Sequence, residues 1–156
     1  MRTHAPRRKA TAFSTTSSAG PRYSRCMTVF LQIEGAAIVD IPSLYAEINR
    51  VFMAGEAWQL GPSLDGLDDL LYGGYGALAG HETATLVWRD IDRSREALGL
   101  EATRAWLEDK LRQPGTFNAE TIGRQLDALQ HGEGQTYFDI VMEIFASHPN
   151  VALVCA

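Results

Sequence analysis

Three features of the chain predict an α/β fold built on a small three-stranded parallel sheet packed with helices. First, three short apolar runs, Val29 to Ile33, Thr83 to Trp88 and Val151 to Cys155, are rich in β-branched and aromatic residues and read as strands. Second, stretches of helical periodicity separate them, and strands joined through helices form parallel sheets with right-handed crossovers. Third, 156 residues with 46% hydrophobic content suit one domain with a real core. Three strands are few, so the helices must supply much of that core. No apolar run approaches the roughly 18 residues needed to span a bilayer.

Residues 1–26 hold six of the 14 basic residues and none of the 19 acids. Rich in Arg, Ser, Thr and Ala and without apolar periodicity, they fit a disordered tail, a transit-peptide-like leader, or a start codon placed too early. The last is favoured, because Met27 directly precedes the first strand. With no apolar h-region, a secretory signal is not expected. The folded domain is expected in 27–156, where 8 bases face 19 acids, a balance of −11. So negative a body repels nucleic acid and anionic membrane and speeds encounter with a basic protein. Cys26 and Cys155 make neither a disulfide framework nor a metal spacing, which fits a reducing compartment.

In order along the chain, the first strand ends at Glu34-Gly35. Ile38 and Ile41 lead to Pro42-Ser43, a helix start. Leu44, Ile48, Val51 and Phe52 then fall at i, i+4, i+7, i+8 of an amphipathic helix closed by Gly55. Next comes the stretch around which the chain is organised, Trp58 to Leu71. Leu64, Leu67 and Leu71 at i, i+3, i+7 give a short helix one apolar face. Asp65, Asp68 and Asp69 at i, i+3, i+4 put three carboxylates on the other face. Pro62 and the Ser63 hydroxyl supply the start, and Gly73-Gly74 the stop. One reading of the acids is a solvated face with Asp65 on the positive end of the helix dipole. The dipole does not account for Asp69 a turn later, and like charges at i, i+4 cost a few tenths of a kcal/mol. The other reading is a negative spot held for a positive partner.

Gly73 to Gly80 reads as a flexible connection. Thr83 to Trp88 is nearly continuous in apolar residues, which predicts burial on both faces. Arg89 to Leu98 is a short polar helix. Leu100 to Gln113 carries Leu100, Thr103, Leu107 and Leu111 at helical spacing and stops at Pro114-Gly115. Asn118 caps a further helix with Ile122, Leu126 and Leu129 inward, broken at His131 to Gly134. These two form a helical hairpin over roughly 100–133. In the strongly helical Gln135 to Ser147, Tyr137, Val141, Ile144 and Phe145 face inward, while Asp139 and Glu143 share the outer face.

Other chemistries find little support. The glycines of 74–80 lack the G-x-G-x-x-G spacing, and a strand follows where a helix should. His4, His81, His131 and His148 are scattered, so no metal site is expected. No Ser sits in a G-x-S-x-G elbow. A glycosidase-like carboxylate pair would need one acid desolvated, and nothing apolar is interleaved among Asp65, Asp68 and Asp69. Trp88 and Trp106 lie in apolar segments and are expected in the core. Trp58 either packs under the acidic helix or sits in a contact surface.

The segment Gly61-x-Ser63-Leu64-Asp65-Gly66-Leu67-x-Asp69-x-Leu71 resembles the G-x-N-L-D-A-L-x-D-x-L segment of barstar, the intracellular inhibitor of the ribonuclease barnase. Leu86 to Ser94, with Trp88-Arg89 running into a helix, is similar to a barstar strand, and Phe138 to Ala156 to its last helix and strand. Leu31 to Phe52 matches the first strand and helix more loosely. The resemblance implies a three-stranded parallel sheet packed with helices and stoichiometric inhibition of a basic nuclease. It implies that Asp69 plugs the nuclease's phosphate site, with Asp65 one turn earlier, Glu143 on the last helix and Gly61 in the binding loop.

Against the family pattern, Ser63 replaces Asn, Gln59 an aromatic and Asp68 a Trp, which points to a basic nuclease or toxin other than barnase. Residues 100–133 are then an added hairpin. Gln125 to Leu129, closer in letters to N-L-D-A-L, is set aside because no Trp-Arg strand follows it. The expectation is a cytoplasmic, monomeric, barstar-like ribonuclease inhibitor or immunity protein, without catalysis, metal or cofactor and without nucleic-acid or membrane partners. Its contact patch would be Asp69, Asp65, Glu143, Gly61, Ser63, Asp68, Gln59 and Trp58. The rivals are the same fold binding a basic non-nuclease, and an acid–base enzyme. An Asp69 turned inward, or paired with an Arg of its own chain, would defeat the inhibitor reading.

Overall fold

The first strand forms where expected, as β1 (Thr28–Glu34), and its neighbours are β2 (Thr83–Arg89) and β3 (Val151–Cys155). They make one parallel sheet in the order β1-β2-β3, with Leu31 opposite Leu86 and Leu86 opposite Leu153. The computed structural model describes residues 27–113 and 115–156. The readings of 1–26, with His4 and Cys26, lie outside the described residues. Helices α1 (Ile41–Phe52) and α2 (Leu64–Leu71) fill the first crossover. The second holds α3 (Ile91–Ala97), α4 (Leu100–Leu111), α5 (Ala119–Gln130) and α6 (Tyr137–Ala146).

One face of the sheet carries the core. Ile33, Ala84, Leu86, Trp88 and Val151 pack with Leu44, Ile48 and Phe52 of α1, Leu67, Leu70 and Leu71 of α2, and Phe138, Val141 and Phe145 of α6. The Trp88 indole N–H donates to Ser94 Oγ (3.0 Å), whose hydroxyl donates to the Gly35 carbonyl (3.2 Å). Trp88 is thus a core residue, as its apolar segment suggests.

The opposite face corrects the expectation that Thr83 to Trp88 is buried on both sides. Thr85 and Val87 are only half-buried, Phe30 is 76% exposed and Val154 45% exposed. The reason is topological. Two crossovers of the same hand, stepping the same way from β1 to β2 to β3, lie on the same side of the sheet. Covering both faces takes a strand order that reverses.

Two helix starts also differ from expectation. The cap of α1 is Asp40, two residues before Pro42: its carboxylate accepts from the Ser43 N–H (2.8 Å), and Ser43 Oγ accepts from the Asp40 N–H (2.9 Å). The helix ends at Phe52, ahead of Gly55. For α6 the cap is Thr136, with Asp139 returning the bond.

The expected hairpin of α4 and α5 is present, with Asn118 capping α5. It closes on a small cluster of its own, Leu107, Ile122 and Leu129. Leu100 and Leu111, expected inward, are exposed. The hairpin is fastened to α6 by Thr103, whose hydroxyl accepts from the Tyr137 N–H (2.7 Å) and donates to the Gly99 carbonyl (2.7 Å). Trp106, expected in the core, is half-buried and meets Tyr137 edge-on.

Candidate partner-binding surface

α2 forms where its spacing predicts, but Leu64, expected on the apolar face, is only half-buried, while Leu70 joins Leu67 and Leu71 in the core. The helix is held from both ends. Ser63 Oγ accepts from the Gly66 N–H (3.2 Å), satisfying one of the free donors of the first turn. Leu67, Leu70 and Leu71 are completely buried. Burial of three leucines supplies several kcal/mol, on the order of 1.5–3 each, so the helix is fixed by tertiary packing rather than by its own propensity. At its far end Gly73 takes a left-handed φ of 87°. The Asn150 amide there donates to the Leu71 carbonyl (2.9 Å).

The loop before α2 is clamped as well. The side chain of Asn49 on α1 both donates to the Leu60 carbonyl (2.9 Å) and accepts its N–H (2.7 Å). The following loop, expected to be flexible, is tied back: Glu56 accepts from the Gly76 N–H (2.9 Å). Gly76 sits at a φ of 69°, where a Cβ would come within 2.6 Å of the Phe52 carbonyl oxygen. Only glycine serves there.

On this frame the three aspartates part company. Asp65 and Asp69 are exposed. The Asp69 carboxylate makes no hydrogen bond or ion pair with the described residues, and the ion pairs they form lie elsewhere. Asp68 differs: its carboxylate lies 2.6 Å from Nε2 of His148, a buried histidine in the α6–β3 connection. The expectation of three carboxylates on one open face is therefore corrected to two. Asp68, at i+3 from Asp65, is rotated toward α6 and engaged in holding α2 there.

Trp58 does not pack under α2. It is 47% exposed and leans on Tyr75 across the two clamped loops, ring centres 5.0 Å apart. Burial and the neighbouring charge of Asp69 push the Tyr75 phenol above its usual pKa. Tyr75 is a member of the surface that sequence reasoning passed over. Its one signal was an aromatic among glycines.

Gln59 and Gly61 are exposed, and a Cβ at Gly61 would meet nothing within 4 Å, so nothing in the described chain requires glycine there. Ser63, also exposed, spends its hydroxyl on the cap. Glu143 lies on the outer side of α6, the helix α2 packs against, and accepts from Gln135 Nε2 (3.0 Å). Asp139 shares that side and is used in the cap of α6.

Beside this surface a cleft of about 760 Å³ opens between the starts of α1 and α2 and the flank of α4, with Asp65 and Asp109 among its lining residues. The Lys110 ammonium is 3.8 Å from the Trp106 ring centre and 5.0 Å from that of Phe117. Burial draws it below the usual lysine pKa, and the charge of Asp65 opposes that shift. Asp40, also on the cleft, is held below the usual carboxylate range by Ser43, the opposite of what general-acid work requires.

Among the described residues no cluster of His, Cys, Asp or Glu is arranged to hold a metal, and no helix is long and apolar enough to cross a membrane. No protein-family model matches the chain, and no curated protein matches it significantly.

Proposed function

We propose that the protein is a barstar-like inhibitor of a basic ribonuclease or toxin, acting by binding and not by catalysis. The observation that carries the reading is Asp69: an exposed carboxylate without a partner in the described chain, on a helix anchored by three buried leucines and clamped at both ends. Such an acid has its side-chain bonds still to make and little backbone freedom left to lose. A nuclease active site gathers Lys, Arg and His around phosphate, and a fixed carboxylate can take a phosphate's place by charge-assisted hydrogen bonds. Preorganisation lowers the ordering cost of binding.

In this reading Asp65 meets a second cation one turn away, and Glu143 a third from α6. Gly61, Gln59 and Trp58 with Tyr75 form the neutral rim. Asp68 keeps the helix in register through His148 and contributes to contact only indirectly. Net charge makes encounter fast and salt-sensitive. A small three-stranded parallel sheet packed with helices is compatible with the resemblance, under which the α4–α5 hairpin would be the added part.

The test is co-expression with a panel of small basic ribonucleases in bacteria. The wild-type chain is expected to restore growth against at least one member, and Asp69→Ala to lose most of that protection. Rescue by Asp69→Ala equal to wild type overturns the assignment. Binding to a basic protein without nuclease activity, with no rescue, would instead favour an interaction module.

A further inference from the structure

The cleft between α2 and α4 adjoins the Asp69 surface and shares Asp65 with it, but Asp69 is not on its lining. Its walls are apolar: Ile41 and Pro42 of α1, Pro62 and Leu64 at the start of α2, and Ala105 and Trp106 of α4. Carboxylates of Asp65 and Asp109 stand on its lining. It already holds one cation, the chain's own Lys110, over the Trp106 face. An aliphatic stem along apolar walls, with a cationic head over an aromatic ring and near carboxylates, describes the environment a long basic side chain prefers. Arginine suits it better than lysine, because a planar guanidinium both stacks on the indole and forks to a carboxylate.

We propose that this cleft binds an arginine-bearing segment of the basic partner, whose guanidinium takes over the Trp106 face as Lys110 swings out to solvent. The proposal deepens the inhibitor reading and rests on it for the identity of the occupant. The cleft's chemistry does not involve Asp69. The α4–α5 hairpin thereby gains a role: Trp106, Asp109 and Lys110 all come from α4, and Phe117 from the turn that follows it. The hairpin turns the flank of a charged patch into a pocket selective for a basic side chain. Lys110 offsets one of the three negative charges on the lining, those of Asp40, Asp65 and Asp109, until the partner arrives.

The experiment is an NMR titration of the full chain with Nα-acetyl-arginine amide, and with the neutral isostere Nα-acetyl-citrulline amide, following the Trp106 indole N–H. A saturable shift is expected with the arginine compound and little with citrulline. Lys110→Met keeps a flexible stem and removes the competing charge, so arginine should bind about threefold or more tighter. Asp109→Asn, at an exposed position, should bind it more weakly. Equal shifts with citrulline, no gain in Lys110→Met, or unchanged affinity in Asp109→Asn would each overturn the proposal. Circular dichroism checks that each variant is folded, and Asp109→Asn remains decisive if Lys110→Met is not. Asp69→Ala should leave the arginine titration unchanged, so failure of the nuclease reading and failure of the cleft reading show up in different experiments.

Discussion

α2 and the α4–α5 hairpin are both acidic, and they differ in how some of their acids are met. On α4, Glu101 pairs with Arg104 (3.5 Å), and on α5, Glu120 pairs with Arg124 (3.7 Å), each within its own helix. α2 contains no base at all. Its eight residues put Leu67, Leu70 and Leu71 into the main core, whereas the hairpin closes on the small cluster of Leu107, Ile122 and Leu129. A helix anchored by the central core can carry unpaired like charges on its outer side. A helix held by a small satellite core gains from neutralising its charges locally, if only by a few tenths of a kcal/mol per pair. The unpaired acids on α2, Asp65 and Asp69, form none of the ion pairs of the described chain, which leaves them available for the proposed contact.

The sharpest way to break that comparison is to empty each core. Leu70→Ala should cost about 3–5 kcal/mol and lower the urea midpoint of the whole domain. Leu129→Ala should cost about 2–3 kcal/mol, and hydrogen exchange should rise first in α4 and α5. Equal loss of protection everywhere in both variants would mean that the hairpin is no satellite.

A smaller effect is expected at the loop clamp. Asn49→Ala removes two bonds to Leu60 and leaves a half-buried N–H and C=O unpaired, at about 1–3 kcal/mol in chemical unfolding. Within α2 itself the neighbouring aspartates should differ. Asp68→Ala deprives buried His148 of its partner, at about 1–2 kcal/mol. Asp69→Ala should change stability by less than about 0.5 kcal/mol. A matching loss for both would place Asp69 in the folding machinery.

The least of the effects is confined to acid. Glu47 on α1 is buried, accepting from Arg50 (2.6 Å) and from the Glu34 N–H (3.0 Å), and the Arg50 bond foremost holds its carboxyl below the usual glutamate range. Its contribution is present above that usual range, about pH 4, and is lost as pH falls through its own lower value. Glu47→Gln should flatten the acid limb of the stability profile and leave its shape near neutrality unchanged.

What could be read from the residues divides by range. Leu67 and Leu71 of α2 with the Ser63 cap, the Asn118 cap and the three strands are local patterns, and each is present. The Asp68–His148 pair joins positions 80 apart, and no spacing rule links an aspartate on one helix to a histidine beyond another. No spacing rule links Asn49 to Leu60 or Asn150 to Leu71 either. β2 read as doubly buried because Thr85 and Val87 suit a buried face as well as a half-open one. Strand order, not composition, decided the matter. Trp106 looked like core because an apolar helix face does not reveal that its neighbour stands back to leave a cleft.

The central claim concerns the carboxylate at position 69, and a binding isotherm reaches it most directly. Titrating the wild-type chain and single variants against a basic ribonuclease picked out by the proposed co-expression test, at low and high salt, should give stoichiometric, salt-weakened binding. Asp69→Ala should raise the Kd by about 10- to 100-fold, more than Asp65→Ala or Glu143→Ala, with circular dichroism unchanged. An Asp69→Ala variant that bound as tightly as wild type would contradict the account.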